Sequence, residues 1–199
     1  MQSQVKISVI MSVYNSEKWL KKSILSILNQ TYSDFEFIIV NDGSTDNSLS
    51  IIKSLQKSDK RIKLINQHNT GLTKSLNRAI SISKGNLIAR IDADDISLPT
   101  RLMSQFKLMS CNDKIGLCYT NYTEIDEMGE KIRNLNLTFS FNKIKKNLSN
   151  GINVIPHSSV MYRKSIFIKL GGYRERFIKS QDIDLWLRMM TKKIFLNKR

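Results

Sequence analysis

Residues 86–95, Asn86-Leu87-Ile88-Ala89-Arg90-Ile91-Asp92-Ala93-Asp94-Asp95, run from an apolar stretch straight into a cluster of carboxylates. The apolar part has the length and composition of a buried strand. Alternate side chains of an extended chain point the same way, so Asp92 and Asp94 can face one spot. Two carboxylates that share a spot repel each other unless a proton or cation lies between them. Hard divalent ions take oxygen ligands, and magnesium or manganese commonly joins one or two carboxylates to substrate phosphates. The stretch reads either as a metal–diphosphate site at a strand end or as a solvated acidic turn. The sequence on either side decides between them.

Upstream, strand and helix patterns alternate. Residues 6–13 (KISVIMSV) form a β-branched run of strand length. Ser16 suits the N-cap of a helix that carries Trp19, Leu20, Ile24, Ile27 and Leu28 on one face. Residues 35–40 (FEFIIV) read as a second buried strand, and Asp42-Gly43-Ser44-Thr45-Asp46 as turn and cap chemistry before a helix with Leu49, Ile52 and Leu55. A short third strand covers 62–65. A helix after Gly71 turns Leu72, Leu76, Ala79 and Ile80 inward and stops at Gly85. Residues 87–91 make the fourth strand, and Pro99 opens a helix with Leu102, Phe106 and Leu108. Such alternation implies an α/β class: right-handed βαβ units and a mixed, mostly parallel sheet flanked by helices. Ligands of such sheets bind beyond the carboxyl ends of the strands. Each of the four strands is followed there by a polar loop: Tyr14-Asn15, Asn41-Asp42-Gly43-Ser44, His68-Asn69-Thr70-Gly71 and the acidic run.

Beyond about residue 115 the pattern changes. Residues 117–125 read as one strand, 126–130 as a turn, 135–141 as a strand and 142–150 as a short basic helix or loop. A strand over 154–163 would carry His157 at its start. A short helix at 165–170 would stop at Gly171-Gly172, and 182–191 form a last helix with Ile183, Leu185, Trp186, Leu187 and Met189. No repeat or linker divides the chain, so residues 1–199 read as a single domain with an N-terminal half, 1–115, and a second half, 116–199.

The chain has 199 residues and a net charge of +15. Residues 143–199 hold 14 Lys or Arg against 3 Asp or Glu, and the rest of the chain is nearly balanced. Such asymmetry suits an anionic partner or a merely solvated basic surface. No stretch approaches the roughly 20 apolar residues that span a bilayer, and the first residues hold no secretory h-region. Cys111 and Cys118 match no zinc spacing and read as reduced packing residues in apolar surroundings. These features set a cytoplasmic location as the expectation, with peripheral contact at the inner face of an anionic membrane. No GxGxxG follows the first strand and no GxxxxGK[ST] occurs, which disfavours nicotinamide dehydrogenases and P-loop enzymes. No aromatic-basic recognition motif supports binding to nucleic acid.

The ordered set ISVIMSVYN, NDGSTD, NTGL, IDADD, GGYRERF and QDIDLWLR resembles family-2 glycosyltransferases of the GT-A (Rossmann-like) fold, from Ile7 to about Arg188. The resemblance implies an inverting glycosyltransferase. It would move a sugar from a nucleoside-diphosphate sugar to a hydroxyl acceptor, saccharide or lipid-linked, in surface polysaccharide or glycolipid synthesis. Residues 1–115 would bind the nucleotide sugar and 116–199 the acceptor. Tyr14 and Asp42 would hold the base. An aromatic face stacks on a base and a carboxylate accepts an imide N–H, which favours a UDP-sugar. Asp92 and Asp94 would form the DxD motif, with Asp92 near the ribose and Asp94 on Mg2+ or Mn2+, while Asp95 orients the loop. Lys74 and Arg78 would face the phosphates, or else be exposed helix residues.

Asp182 matches the catalytic aspartate of the family's ED motif, where this chain has Gln181 in place of Glu. A positioned carboxylate suits proton abstraction from an acceptor hydroxyl, although an Asp at a helix start also reads as an N-cap. Asp184, its neighbour, looks structural. Gln181 and His157 are acceptor-side candidates, His157 reading more often as a hydrogen-bonded structural residue. The family often continues with further helices and a metal-completing His, so the chain is expected to be C-terminally truncated. The alternative is a catalytically weak nucleotide-sugar-binding remnant.

Overall fold

The computed structural model describes residues 5–137 and 139–191, and the backbone of 195–198. The four expected strands are β1 (Ile7–Val13), β2 (Phe35–Asp42), β3 (Ile62–Gln67) and β4 (Leu87–Arg90). The helices between and after them are α1 (Glu17–Leu28), α2 (Ser48–Ser58), α3 (Leu72–Ile82) and α4 (Arg101–Cys111). β1 pairs in parallel with β2 and β4, and β2 with β3. Both β2 and β3 run two residues further than their apolar cores. Asn41 and Asp42 stay in register with Asn66 and Gln67, so the polar ends are part of the ladder.

β1 alternates cleanly. Ile7, Val9, Met11 and Val13 face α1, α2 and α4, packing with Leu20, Ile24, Ile27, Ile52, Leu102 and Met109. Ile10 faces the opposite layer with Leu76, Ala79 and Ile80 of α3. Burying a side chain of this size stabilises by about 1.5–3 kcal/mol. A one-residue slip would exchange the two faces, so the pattern fixes the register.

The second half is β5 (Ile115–Tyr119), β6 (Tyr122–Ile125), β7 (Lys131–Leu135), α5 (Phe141–Ser149), β8 (Met161–Arg163), α6 (Lys164–Lys169), α7 (Gln181–Thr191) and β9 (Phe195–Lys198). The main sheet has the order β3-β2-β1-β4-β8-β5-β9, with β8 antiparallel to β4 and β5. β6 and β7 form a separate hairpin. Helices α3, α5, α6 and α7 cover one face and build the core around Trp186, Tyr162 and Tyr173.

Three expectations for this half need correction. The strand over 117–125 is two strands. Thr120 donates its N–H to Ser159 Oγ (3.2 Å), and the Asn121 side chain accepts from Leu137 N and donates to Asn136, which turns the chain out of the sheet. The strand placed at 135–141 lies instead at β7. Phe141 opens α5 behind the cap residue Ser140, and Thr138 lies outside the described residues. The strand over 154–163 shrinks to β8. Pro156 offers no N–H to a ladder, and His157–Ser159 form a 3-10 turn. Cys118 is buried as expected, whereas Cys111 is exposed at the end of α4. Among the described residues no helix is long and apolar enough to cross a membrane.

Candidate functional site

The strand order reverses between β1 and β4, because the chain passes from β1 outward to β3 and then returns to β1's other side. A crevice opens at the carboxyl ends of such neighbours. Here it is a cleft of about 290 Å³. It is lined by Ser12, Tyr14 and Ser16 from β1 and the turn after it, and by Asp42 of β2. Asn69, Gly71 and Leu72 contribute from the loop after β3 and the start of α3, and Asp92, Ala93 and Asp94 follow β4. The four polar loops of the sequence thus meet in one place.

Long-range bonds hold these loops. Asn15, with φ of 48°, accepts the Thr45 N–H on Oδ1 (2.8 Å), and its own N–H goes to Ser44 Oγ. Helices α1 and α2 cap each other. Glu17 N donates to Asp46 Oδ2 (3.0 Å), while Asn47 N and Nδ2 donate to Glu17 Oε2. Ser16, expected to cap α1 with its side chain, turns its hydroxyl to Tyr14 O instead. Gly43 has φ of +76°, and a Cβ there would lie 2.6 Å from Asn69 N, so the second and third loops approach too closely for any other residue.

Asp42 is 2% exposed. Its Oδ1 accepts from Gln67 Nε2 (2.7 Å) and Thr70 N (2.9 Å), and its Oδ2 from Gly71 N (2.8 Å). Burial pushes its carboxyl up, but the bonds from Gln67, Thr70, Ser75 and Gly71 outweigh burial and hold it below the usual carboxylate range. A carboxylate oxygen has two lone pairs, so Oδ2 can take a further N–H beside that of Gly71. Tyr14 is exposed and lines the cleft.

In the acidic run, Asp92 and Asp94 behave differently. Both oxygens of Asp92 pair with Arg90 Nη1 and Nη2. Arg90 is 1% exposed, while the Asp92 side chain is 37% exposed. Ser158 Oγ accepts the Asp92 N–H, and Ser23 Oγ donates to Asp92 O, which fixes the loop against two elements. Asp94 is exposed at the cleft. Desolvation raises Asp95 above the usual carboxylate range; Asp92 and Asp94 add like charge, and a hydrogen bond with Ser158 opposes them. Among the described residues no three His, Cys, Asp or Glu converge into a metal cage. An exposed carboxylate beside a cleft still suits a cation held by one or two protein oxygens and substrate phosphates.

Asp182 is not among the residues that line this cleft; it lies in the first turn of α7 and is 8% exposed. Asn153 Nδ2 donates to its Oδ2 (2.6 Å), and Ile183 N to its Oδ1 (2.9 Å). The cap position belongs to Ser180, whose carbonyl accepts from Asp184 N and whose φ of 60° is unusual for a non-glycine residue. Gln181 is buried beside Asp182. Asp184 is tied to Arg174 (3.0 Å) and Arg188 (2.6 Å), an arrangement that anchors the 171–174 turn to α7. His157 Nε2 bonds Tyr173 Oη (2.7 Å), and its ring meets Tyr173 and Trp186 edge-on. Desolvation, with Arg90 adding to it, holds His157 well below its ordinary range. Burial raises the Tyr173 phenol.

Lys74 is exposed on α3, and Arg78 Nη1 donates to Gln67 Oε1 (2.6 Å); neither lines the cleft. A wider, more open depression at Asn77, Gly171, Tyr173 and 174–176 holds none of the four loops. Sequence reading missed the Arg90–Asp92 pair, the Ser158 anchor and Asn153. The i, i+2 spacing of Arg90 and Asp92 in a chain leaving a strand was the available signal for the first; nothing local announces the other two.

A family profile described as "Glycosyl transferase family 2" matches residues 8–171. An uncharacterized glycosyltransferase of Methanocaldococcus jannaschii is 44% identical over 189 residues, which are 93% of this chain and 64% of that protein. The O-antigen biosynthesis glycosyltransferase WbnJ of Escherichia coli is 40% identical over 186 residues, 93% of this chain and 72% of WbnJ. Among solved structures, residues 1–349 of S. aureus TarS with UDP-GlcNAc give a TM-score of 0.74 at 21% identity, covering 92% of this chain and 52% of that one. The mannosyltransferase PcManGT of Pyrobaculum calidifontis with GDP-Man and Mn2+ gives 0.74 at 14% identity, covering 100% and 55%. The chain therefore spans about two thirds of these two curated relatives and about half of these two solved chains, the solved structures share its GT-A fold, and on the profile and the two relatives the chain belongs to glycosyl transferase family 2.

Proposed function

We propose that the chain transfers a sugar, with inversion, from a nucleoside-diphosphate sugar to a hydroxyl acceptor in surface polysaccharide or glycolipid synthesis. The observation that carries the reading is the cleft at the β1–β4 reversal, where Tyr14, Asp42, Asp92 and Asp94 meet. Its volume lies at the low end of small-ligand sites, a size that suits a nucleotide. Tyr14 stacks on the base and Asp42 Oδ2 accepts its imide N–H, chemistry that suits a uracil or thymine donor. The neighbours carrying UDP-GlcNAc and GDP-Man support a nucleotide-sugar ligand in general.

Asp92 lies toward the ribose, and Asp94 holds Mg2+ or Mn2+. The neighbour with Mn2+ supports a divalent ion. Bound there, the ion supplies charge that offsets the diphosphate and stabilises the leaving nucleoside diphosphate. Asp182 accepts the acceptor hydroxyl's proton while that oxygen attacks the anomeric carbon from the face opposite the leaving group. Asn153 and the Ile183 N–H keep its two oxygens oriented. The acceptor is a saccharide or lipid-linked saccharide, and the basic balance of residues 143–199 suits peripheral contact with the anionic inner face of a membrane.

The test is a panel of UDP-, GDP- and dTDP-sugars with Mn2+ or Mg2+, read by thermal shift, since a cognate ligand stabilises by mass action. Metal-dependent stabilisation by one donor class is the expected result. No stabilisation by any donor would reject the reading.

A further inference from the structure

Asp92 and Asp94 of the acidic run are not electrically equivalent. Arg90 ends β4 and is enclosed on every side. Its N–H goes to Val160 O (3.0 Å), and its carbonyl accepts from Arg101 Nη2 (2.6 Å), so its backbone is locked from two directions. Arg101 is itself buried and gripped by Ser97 and Gln105, which makes the frame around Arg90 rigid. The guanidinium takes both oxygens of Asp92 in a forked pair, a geometry that fixes a carboxylate's direction as well as its charge. No other carboxylate makes an ion pair with Arg90 among the described residues. The sharing is one-sided: a fully buried cation holds a carboxylate that reaches the cleft.

Resting on the reading that Asp94 carries the cation, we infer that Arg90 is a positioning residue that withholds Asp92 from the metal. It turns both Asp92 oxygens inward and cancels their charge. Of the two tip carboxylates that line the cleft, Asp94 is then the uncompensated one, and Asp92 serves the sugar donor as part of a neutral, rigid pair. Arg90 touches neither metal nor donor. It acts through Asp92.

The inference sets a pattern for four variants of the intact chain, each titrated with Mn2+ alone and with Mn2+ plus UDP by calorimetry. Arg90→Met frees the Asp92 charge, so Mn2+ binds more tightly, roughly fivefold or more, the scale of one extra unit charge near a protein surface. Asp92→Asn leaves a bare buried guanidinium, so Mn2+ binds more weakly by a similar factor. The double variant Arg90→Met with Asp92→Asn removes both charges together, a change buried ion pairs generally tolerate, and restores wild-type Mn2+ affinity within about twofold. Asp94→Asn abolishes Mn2+ binding.

A double variant that loses Mn2+ as completely as Asp94→Asn would make Asp92 a direct ligand and overturn the inference. Equal affinity in Arg90→Met, Asp92→Asn and wild type would leave Arg90 with a structural role only and overturn it too. An Asp94→Asn chain that binds Mn2+ normally would remove the metal reading beneath it, a distinguishable failure. Where Arg90→Met does not fold, Arg90→Lys keeps the charge without the fork. Wild-type Mn2+ affinity with weakened UDP binding is expected of it; tighter Mn2+ binding would contradict charge cancellation.

Discussion

Replacing Asp42 by Asn probes how strand-end loops are held and what they recognise. The change keeps the shape but exchanges one carboxylate oxygen for an NH2 group. The amide has two ways to sit. Oδ1 serves Gln67 and both the N–H and the hydroxyl of Thr70, whereas Oδ2 serves the Gly71 N–H. The less damaging choice keeps oxygen toward Gln67 and Thr70 and points the NH2 at Gly71 N–H. Two donors then face each other across about the 2.8 Å that now separates a donor from an acceptor. Hydrogen bonds to a charged group contribute roughly 1.5–3 kcal/mol, and a stranded buried donor costs about 1–3 kcal/mol. The expected loss is about 2–4 kcal/mol, or roughly 5–12 °C in melting temperature for a chain of this length. The sign of the pH dependence follows. The folded Asp42 lies below its unfolded value, so its contribution is present above about pH 4 and fades as pH falls through the folded value. Thermal melts of wild type and variant from pH 7 to pH 3 should converge at the acid end. A drop below about 2 °C at pH 7, or a gap that widens in acid, would refute this account of the loop.

Further outcomes are open to measurement. Asp182→Asn should leave donor-induced thermal stabilisation intact and lower transfer by about 10²–10⁴-fold; retained transfer would reject Asp182 as the base. Gly43→Ala places a Cβ against Asn69 N at a positive φ, so it should destabilise by about 1–3 kcal/mol and weaken nucleotide binding in calorimetry. His157 is held neutral in the fold, so its contribution is complete above about pH 6.5 and declines as pH falls, by up to about 1.4 kcal/mol per unit. His157→Gln should flatten that part of the stability profile between pH 7 and pH 5. Asp184→Asn should cost stability through Arg174 and Arg188 while leaving donor binding unchanged, as fluorescence-detected unfolding and calorimetry would report.

The first half of the fold was legible because β-branched strands and 3-4 spaced helices alternate with little interruption, and each chain reversal carries its own turn residues. Its strand ends were less so. Asn41, Asp42, Asn66 and Gln67 are polar, and only cross-strand pairing reveals that they belong to the ladder. Ser16 is the N-cap residue of α1 as read, but side-chain bonds at the first turns of α1 and α2 join Glu17 to Asp46 and Asn47, about 30 positions away, which no local pattern supplies. In the second half, Pro156 and the Thr120–Ser159 bond broke runs that hydrophobicity alone joined. The site followed the same division. Tyr14, Asp42, Asp92 and Asp94 sit at strand ends, where topology gathers them. Lys74 and Arg78 depend on helix phase, and that phase carries them to the exposed side. Asn153 and Ser158 reach their partners from a loop whose path no local pattern predicts.

The account turns on whether the diphosphate of a donor is held at the acidic tip beyond β4. Calorimetric titration of UDP into wild type and Asp94→Asn, with and without Mn2+, tests it most directly. Tight binding is predicted only for wild type with Mn2+, and loss of either the ion or the Asp94 charge should remove it. Equal UDP affinity in all four titrations would contradict the claim.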